Sequence, residues 1–295
     1  MKLYSIEVNG LPKLSVKGLA NELYLLEDLG YSYNDINEFI EHTSDEDLTY
    51  LKDMLSNNKF NDCTKYSLES VKILSPVSKP KQDIVCLGVN YLDHAKELTK
   101  TESINSIRSI NTIYFSKRAN YVVGDGGYIK SHSDVVSQLD YEVELAVILK
   151  KDAYKVLSKD ALDYIFGYSI INDISARDLQ SKHKQWYLGK SLDGFTAIGP
   201  CIVTADEIEN PQSLNISCTV NGNLRQNSNT SLMIQSIGSA IEELTTGMTL
   251  EAGTIIATGT PSGVGKGMTP PQYLKHGDVV SCNIENIGTL TNTID

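Results

Sequence analysis

The chain has 295 residues, with 37 Asp+Glu against 26 Lys+Arg, a formal net charge of −11, and 41% hydrophobic residues. That apolar content rules out disorder as the main state, and the length supports one large domain or two unequal ones. The acidic balance argues against a nucleic-acid partner, which needs a basic face, and against attachment to an anionic membrane.

The first residues, MKLYSIEVNG, carry no long apolar run after Lys2 and do not read as a signal peptide. No stretch reaches the length of a membrane span, so a cytoplasmic protein is expected. Residues 1–75 are acidic and rich in Leu, Tyr and Asn, and read as a small helical or α+β N-terminal domain. Leu23, Leu25 and Leu26, and later Ile36, Phe39 and Ile40, fall at helical spacing, with Gly30 and Asn34 as punctuation between two helices. A linker is expected over 76–82, where two prolines interrupt any apolar period.

From residue 83 to 295 the texture changes to short β-branched runs separated by Gly, Asn, Asp and Pro, the pattern of a β-rich α+β domain. VNGNL at 220–224 predicts a hairpin, since Asn-Gly suits a type I′ turn. SLMIQSIGSAIEELTTG predicts a helix ending at Gly247. Strands and helices do not alternate, which disfavours a doubly wound sheet. The five cysteines are widely spaced with no C-x-x-C pair, and read as reduced, mostly buried thiols.

Three places carry chemistry. As a strand, LDYEVELAVIL (139–149) puts Tyr141, Val143, Leu145, Val147 and Leu149 on one face, and Asp140, Glu142, Glu144, Ala146 and Ile148 on the other. Two same-face glutamates in a strand this apolar repel, and their burial is costly. They lie at a solvent end, or have Lys or Arg partners, or hold a divalent cation. A second apolar strand, YIFGYSIIND, ends in Asp173 beside a helix start. Three carboxylates without His or Cys ligands select a hard ion: Mg²⁺, Mn²⁺ or Ca²⁺.

His94 follows a strand that breaks at Gly88, and on a helical turn it shares a face with Glu97. A carboxylate on one imidazole nitrogen fixes the tautomer and leaves the other as a base; the plain alternative is a surface ion pair. The other four histidines sit among polar residues. The glycine-rich GTPSGVGKGMTP fails the phosphate-loop pattern, because Lys266 is followed by Gly267, and reads as a turn that lets backbone approach a substrate.

GVNYLDHAKE, LDYEVELAVIL, GYSIINDISARDLQ, LGKSLDGFTAIGP and TLEAGTIIATGTPSGVG occur in that order. Together they resemble the fumarylacetoacetate hydrolase superfamily, on the acylpyruvase and 2-hydroxyhepta-2,4-diene-1,7-dioate isomerase-like side, over 83–295. The resemblance implies a mixed β-sandwich roll, a homodimer, and Mg²⁺ or Mn²⁺ held by Glu142, Glu144 and Asp173. It makes His94 and Glu97 the catalytic dyad and Lys190 a lysine that steadies developing negative charge. It gives Thr260 the substrate carboxylate and places Arg177 and Gln180 along the pocket. Asp140 fits the motif from behind the ligands. Lys117 and Arg118, in YFSKRAN, fall where the family often has a pocket lysine.

The activity implied is hydrolysis of a C–C bond in an acylpyruvate-type 2-keto acid. His94 with Glu97 would activate water, and the enolate charge would be stabilised by the metal ion and Lys190. Decarboxylation of an oxaloacetate-type acid, or isomerisation of a 2-hydroxy-diene-dioate, would use the same site, and fold does not choose among them. A non-catalytic metal- or keto-acid-binding protein is the remaining alternative, against which the joint presence of these residues speaks. The polar segment 98–112 is expected to act as a lid.

Overall fold

Two apolar strands organise the molecule. Val143–Leu149 and Ile165–Asp173 are buried along their whole lengths, as expected of runs without polar alternation. They pair antiparallel, Val143 opposite Asn172 and Glu144 opposite Ile171. The computed structural model describes residues 1–57, 59–60, 63–99 and 111–295; the expected lid at 98–112 falls largely outside them. Among the described residues the two strands lie in an eleven-stranded sheet.

Beyond Ile165–Asp173 the sheet continues through Thr196–Thr204, Lys2–Val8, Leu11–Lys17, Glu22–Leu25 and Lys65–Ser67. Beyond Val143–Leu149 come Ile255–Ala257, Ile84–Gly88 and Ile113–Lys117. Ile255–Ala257 and Ile84–Gly88 run parallel, so both chains leave the sheet at the same end. A second sheet, in the order Asn223–Asn229, Asn215–Val220, Val279–Ile284, Gly288–Ile294 and Tyr128–Ile129, completes a β-rich α+β architecture. The expected hairpin is present, with Asn221 and Gly222 at φ 50° and 76°, the left-handed pair a type I′ turn needs.

The alternation read along 139–149 divides two cores. Tyr141, Val143, Leu145, Val147 and Leu149 pack with Ile216, Cys218, Val280 and Leu290 of the second sheet. Ala146 and Ile148, on the other face, pack with Ile36, Phe39, Ile40, Leu51 and Leu55 of two helices. Those helices are Ile36–His42 and Asp45–Ser56. The second begins in a capping box between Ser44 and Asp47.

The N-terminal segment differs from the sequence expectation at its leucines. Leu23 and Leu25 belong to a strand, not a helix, because Glu22–Leu25 is hydrogen-bonded between Leu11–Lys17 and Lys65–Ser67. The segment also shares the large sheet with the rest of the chain: Leu3 pairs with Ile202, and Ile73–Leu74, just before the expected linker, pairs with Lys2–Val8. None of the five cysteines is in a disulfide, and Cys86, Cys201, Cys218 and Cys282 are buried. No helix among the described residues is long and apolar enough to cross a membrane.

Candidate metal centre and dyad

The antiparallel pairing puts the start of one central strand beside the end of the other. The Asp173 N–H donates to Glu142 O at 2.9 Å. Both chains then leave the large sheet and form a short ribbon of their own, Leu139–Asp140 with Ser175–Ala176. This departure gathers Glu142, Glu144 and Asp173. One carboxylate oxygen from each lies within 4.8 Å of the others, and all three residues are buried.

Buried carboxylates are tolerated only when paired. Lys190 Nζ lies 2.6 Å from Glu142 Oε2 and 2.6 Å from Asp173 Oδ2. Lys117 Nζ reaches Asp173 Oδ1 at 2.7 Å and donates to the carbonyls of Ile174 and Lys190. Arg177 spans two acids, Nε to Asp140 Oδ2 at 2.8 Å and Nη2 to Glu142 Oε1 at 2.6 Å.

Glu144 stands apart. Its Oε2 accepts the Gly259 N–H at 2.7 Å, and no cation lies within ion-pair distance of it among the described residues. Burial pushes its carboxyl well above the usual range, and the neighbouring Asp173 and Glu142 push it further. Burial acts the same way on Glu142, but the charges of Lys190 and Arg177 outweigh it and hold that carboxyl low. Lys190 is held high by Asp173 and Glu142 against its own burial. Lys117 is lowered, because for it burial dominates.

The donor set is all oxygen and, with Glu144 unpaired, short of positive charge. Both properties fit a hard divalent cation.

The parallel strands deliver the rest. After Gly88 the chain turns through Val89, at φ 56°, into the helix Leu92–Thr99. There His94 Nδ1 meets Glu97 Oε2 at 2.9 Å, and Glu97 Oε1 accepts the Gly263 N–H at 3.2 Å. After Ala257 the chain enters the glycine-rich turn. Gly259 sits at φ 91°, and a Cβ there would lie 2.7 Å from the Asn90 side chain. Asn90 ties the two turns together through Thr258 O and Gln235 O.

The glycine-rich turn is held by acids. Asp140 Oδ1 accepts from Gly265 N, Asp140 Oδ2 from Lys266 N, and Asp93 Oδ2 from Ser262 Oγ. With its lone pairs taken by these amides and by Arg177, Asp140 supports the ligands from behind.

A cavity of about 150 Å³ opens over this assembly, lined by His94, Glu142, Glu144, Arg177, Gln180, Lys190, Thr260 and Lys266. Its apolar wall includes Leu87, Val89, Phe115, Trp186 and Val264. Gly88 permits this wall, since a Cβ there would lie 2.5 Å from the Trp186 ring.

Two expected substrate residues are placed differently. Lys117 does not line the cavity; it is fully buried behind Asp173, because the short strand Ile113–Lys117 ends beneath the ribbon rather than at the pocket. Thr260 lines the cavity, but its hydroxyl already donates to Val143 O at 2.9 Å and accepts from Gln226 Nε2 at 2.8 Å. It can accept from a substrate, but it has no free proton to offer a carboxylate. Gln180 Oε1 accepts from Arg177 Nη1 at 3.1 Å.

Gln226 and Asn90 escaped the sequence reading. Gln226 is fully buried on the second sheet, where its Oε1 accepts Val143 N and its amide reaches Thr260 and Pro261. A glutamine in the polar run NLRQNSN gives no local sign of this role.

The fumarylacetoacetate (FAA) hydrolase C-terminal family model matches residues 83–295. The chain is 50% identical over 229 residues to the oxaloacetate tautomerase YisK of Bacillus subtilis (strain 168), covering 78% of this chain and 75% of that protein. The fumarylacetoacetate hydrolase of Exiguobacterium antarcticum superposes with a TM-score of 0.83 at 37% identity, over 100% of this chain and 99% of that one. A maleylpyruvate hydrolase from Sphingobium sp. SYK-6, solved with manganese(II) and pyruvate, superposes with a TM-score of 0.78 at 25% identity, over 100% of this chain and 98% of that one.

Proposed function

This chain belongs to the fumarylacetoacetate hydrolase C-terminal family and is an enzyme of it, and from that premise we propose that it shifts a proton on a small 2-keto dicarboxylate of the oxaloacetate class, interconverting keto and enol forms. The observation that carries the reading is the meeting, in one cavity, of the His94–Glu97 pair with three buried carboxylates. The half-identical relative named as an oxaloacetate tautomerase supports a proton shift over bond cleavage.

Glu142, Glu144 and Asp173 would hold Mn²⁺ or Mg²⁺, which supplies electrostatic stabilisation to the negative charge that develops during enolisation. Glu97 fixes the His94 ring through Nδ1 and is itself fixed by the Gly263 amide. The other ring nitrogen, Nε2, has no protein partner among the described residues. It takes a proton from the carbon between the two carbonyls and delivers it to the keto oxygen, giving the enol, and carries it back to carbon in the reverse direction. Lys190 and Arg177 keep Glu142 ionised, and their contacts hold Glu142 and Asp173 correctly turned. The apolar wall of Phe115 and Trp186 excludes water from the carbon that loses its proton.

The second reading is C–C hydrolysis of an acylpyruvate, which the 37%-identical hydrolase favours; the same dyad would then direct water at a carbonyl carbon. The test follows the enol absorbance of oxaloacetate with Mn²⁺-loaded and EDTA-treated enzyme, beside product analysis with acetylpyruvate. Faster enol-to-keto conversion that EDTA abolishes is expected. Cleavage of acetylpyruvate without that conversion would establish hydrolysis instead, and carbon dioxide release from oxaloacetate would establish decarboxylation. We further propose a homodimer, which light scattering on the eluted protein checks.

A further inference from the structure

The cations around the cavity are unequal. Arg177 is spent on Asp140 and Glu142, and Lys190 on Glu142 and Asp173. Lys266 also lines the cavity, yet among the described residues it has no carboxylate within ion-pair distance. Among the described residues its only side-chain hydrogen bond is a long one, Nζ to Ser181 Oγ at 3.5 Å. An uncommitted ammonium at a pocket rim, in a protein of net charge −11, draws an anion to that point.

The backbone beneath Lys266 is built to stay in place. Its N–H donates to Asp140 Oδ2 at 3.0 Å, and the preceding Gly265 N–H donates to Asp140 Oδ1 at 2.7 Å. Asp140 is fully buried and paired with Arg177. Gly265 has no room for a side chain: a Cβ would lie 2.0 Å from Gln272 O. Lys266 therefore stands on a fixed stem beside the helix Arg177–Lys182, which carries Gln180 and Ser181.

We propose that Lys266, with Ser181, binds the second carboxylate of the substrate and makes the enzyme selective for 2-keto dicarboxylates over 2-keto monocarboxylates. This rests on the keto-acid reading of the site and adds the distal half of the substrate. The metal-facing end of the cavity, with Glu142, Glu144 and Lys190, takes the keto-acid end. That end is common to mono- and dicarboxylates and cannot distinguish them. The distinction falls to Lys266, the one cation lining the cavity, among the described residues, that no carboxylate neutralises.

The test compares wild type, Lys266→Met and Lys266→Arg as metal-loaded enzymes, using oxaloacetate as the dicarboxylate and acetylpyruvate as the monocarboxylate. Bound metal and the inhibition constant for oxalate, which engages only the keto-acid end, are measured alongside. The readout is the ratio of kcat/KM for the two substrates. Loss of a charge-assisted contact shifts it at least tenfold against oxaloacetate in Lys266→Met, mainly through KM. Lys266→Arg keeps the ratio within about threefold of wild type, because the charge remains. A Lys266→Met enzyme with wild-type metal content and an unchanged ratio overturns the assignment of Lys266. Where acetylpyruvate is not turned over, the ratio of inhibition constants for oxalate and oxaloacetate serves the same purpose. A wild-type enzyme acting on neither substrate fails the reading of the whole site, an outcome visible before any variant is made.

Discussion

Two groups of acids in the molecule obey opposite rules. Around the helix Asp45–Ser56, the residues Asp45, Glu46 and Asp53 face solvent, and their ion pairs are loose: Asp45 is 80% exposed where it meets Lys150. At the ends of the central strands, Asp140, Glu142, Glu144 and Asp173 are buried, and Lys117, Lys190 and Arg177 are buried with them. Water stabilises the first group. The second exists only because the fold brings cations to it, and even so Glu144 is left without one. The net charge of −11 adds these groups together and hides the difference.

The widest separation between them is expected at Glu144. Replacing it by Gln keeps an acceptor for the Gly259 amide but removes a carboxylate from the proposed metal site. Activity on the proposed substrate falls by about a thousandfold, the worth of several kcal/mol of charge stabilisation. Metal at a hundred times its dissociation constant stabilises wild type by about 2.7 kcal/mol, and that shift disappears in Glu144→Gln. The metal-free variant unfolds no earlier than metal-free wild type, since Glu144 has no ion pair among the described residues to lose and Gln keeps its one hydrogen bond. A clear loss of stability without metal would mean that Glu144 is held as firmly as its neighbours.

Arg177 should behave in the opposite way. Arg177→Met leaves Asp140 and Glu142 buried without their shared partner, which costs about 3–5 kcal/mol in chemical denaturation. Asp140 also anchors the Gly265 and Lys266 amides, so the glycine-rich turn loosens too. Arg177→Lys recovers part of the stability, because one ammonium cannot span both acids.

How much of this the sequence discloses depends on how local the cause is. The alternation along 139–149 assigns each residue to its face, and both cores bear it out. The i, i+3 spacing brings His94 to Glu97 because a helix turn decides it. What the chain does not announce is set by distant partners. Leu3 meets Ile202 across most of the sequence, and KLYSIEV lacks a period-2 pattern because four successive residues are buried. Glu22–Leu25 has the same defect, which is why three leucines imitate a helix. Gln226 and Asn90 act through hydrogen bonds to segments far along the chain. The counter-charges of the carboxylates are visible as residue types, but their pairings are not. Lys117 thus reads as a pocket residue but lies wholly behind Asp173, whereas Arg177 lines the cavity as read and its engagement by two acids goes unannounced.

The finest division lies among the acids outside the buried cluster, between one that closes a helix end and one that merely faces water. Asp35 precedes the helix Ile36–His42, and its side chain accepts from the backbone N–H groups of Asn37 and Glu38. Those amides have no partner inside the helix, and the helix buries Ile36, Phe39 and Ile40 against the back of the catalytic sheet. Asp35→Ala should therefore cost about 1 kcal/mol, a fall of about 2 °C in Tm for a chain of this size, with activity unchanged. Asp45→Asn, a few residues on, gives up only the loose contact with Lys150 and should stay within about 0.5 kcal/mol of wild type. Equal effects from the two would mean that charge in this region matters only in sum. Unequal effects would extend the lesson of the buried cluster to the surface: an acid matters for the donors it satisfies, and its charge is secondary.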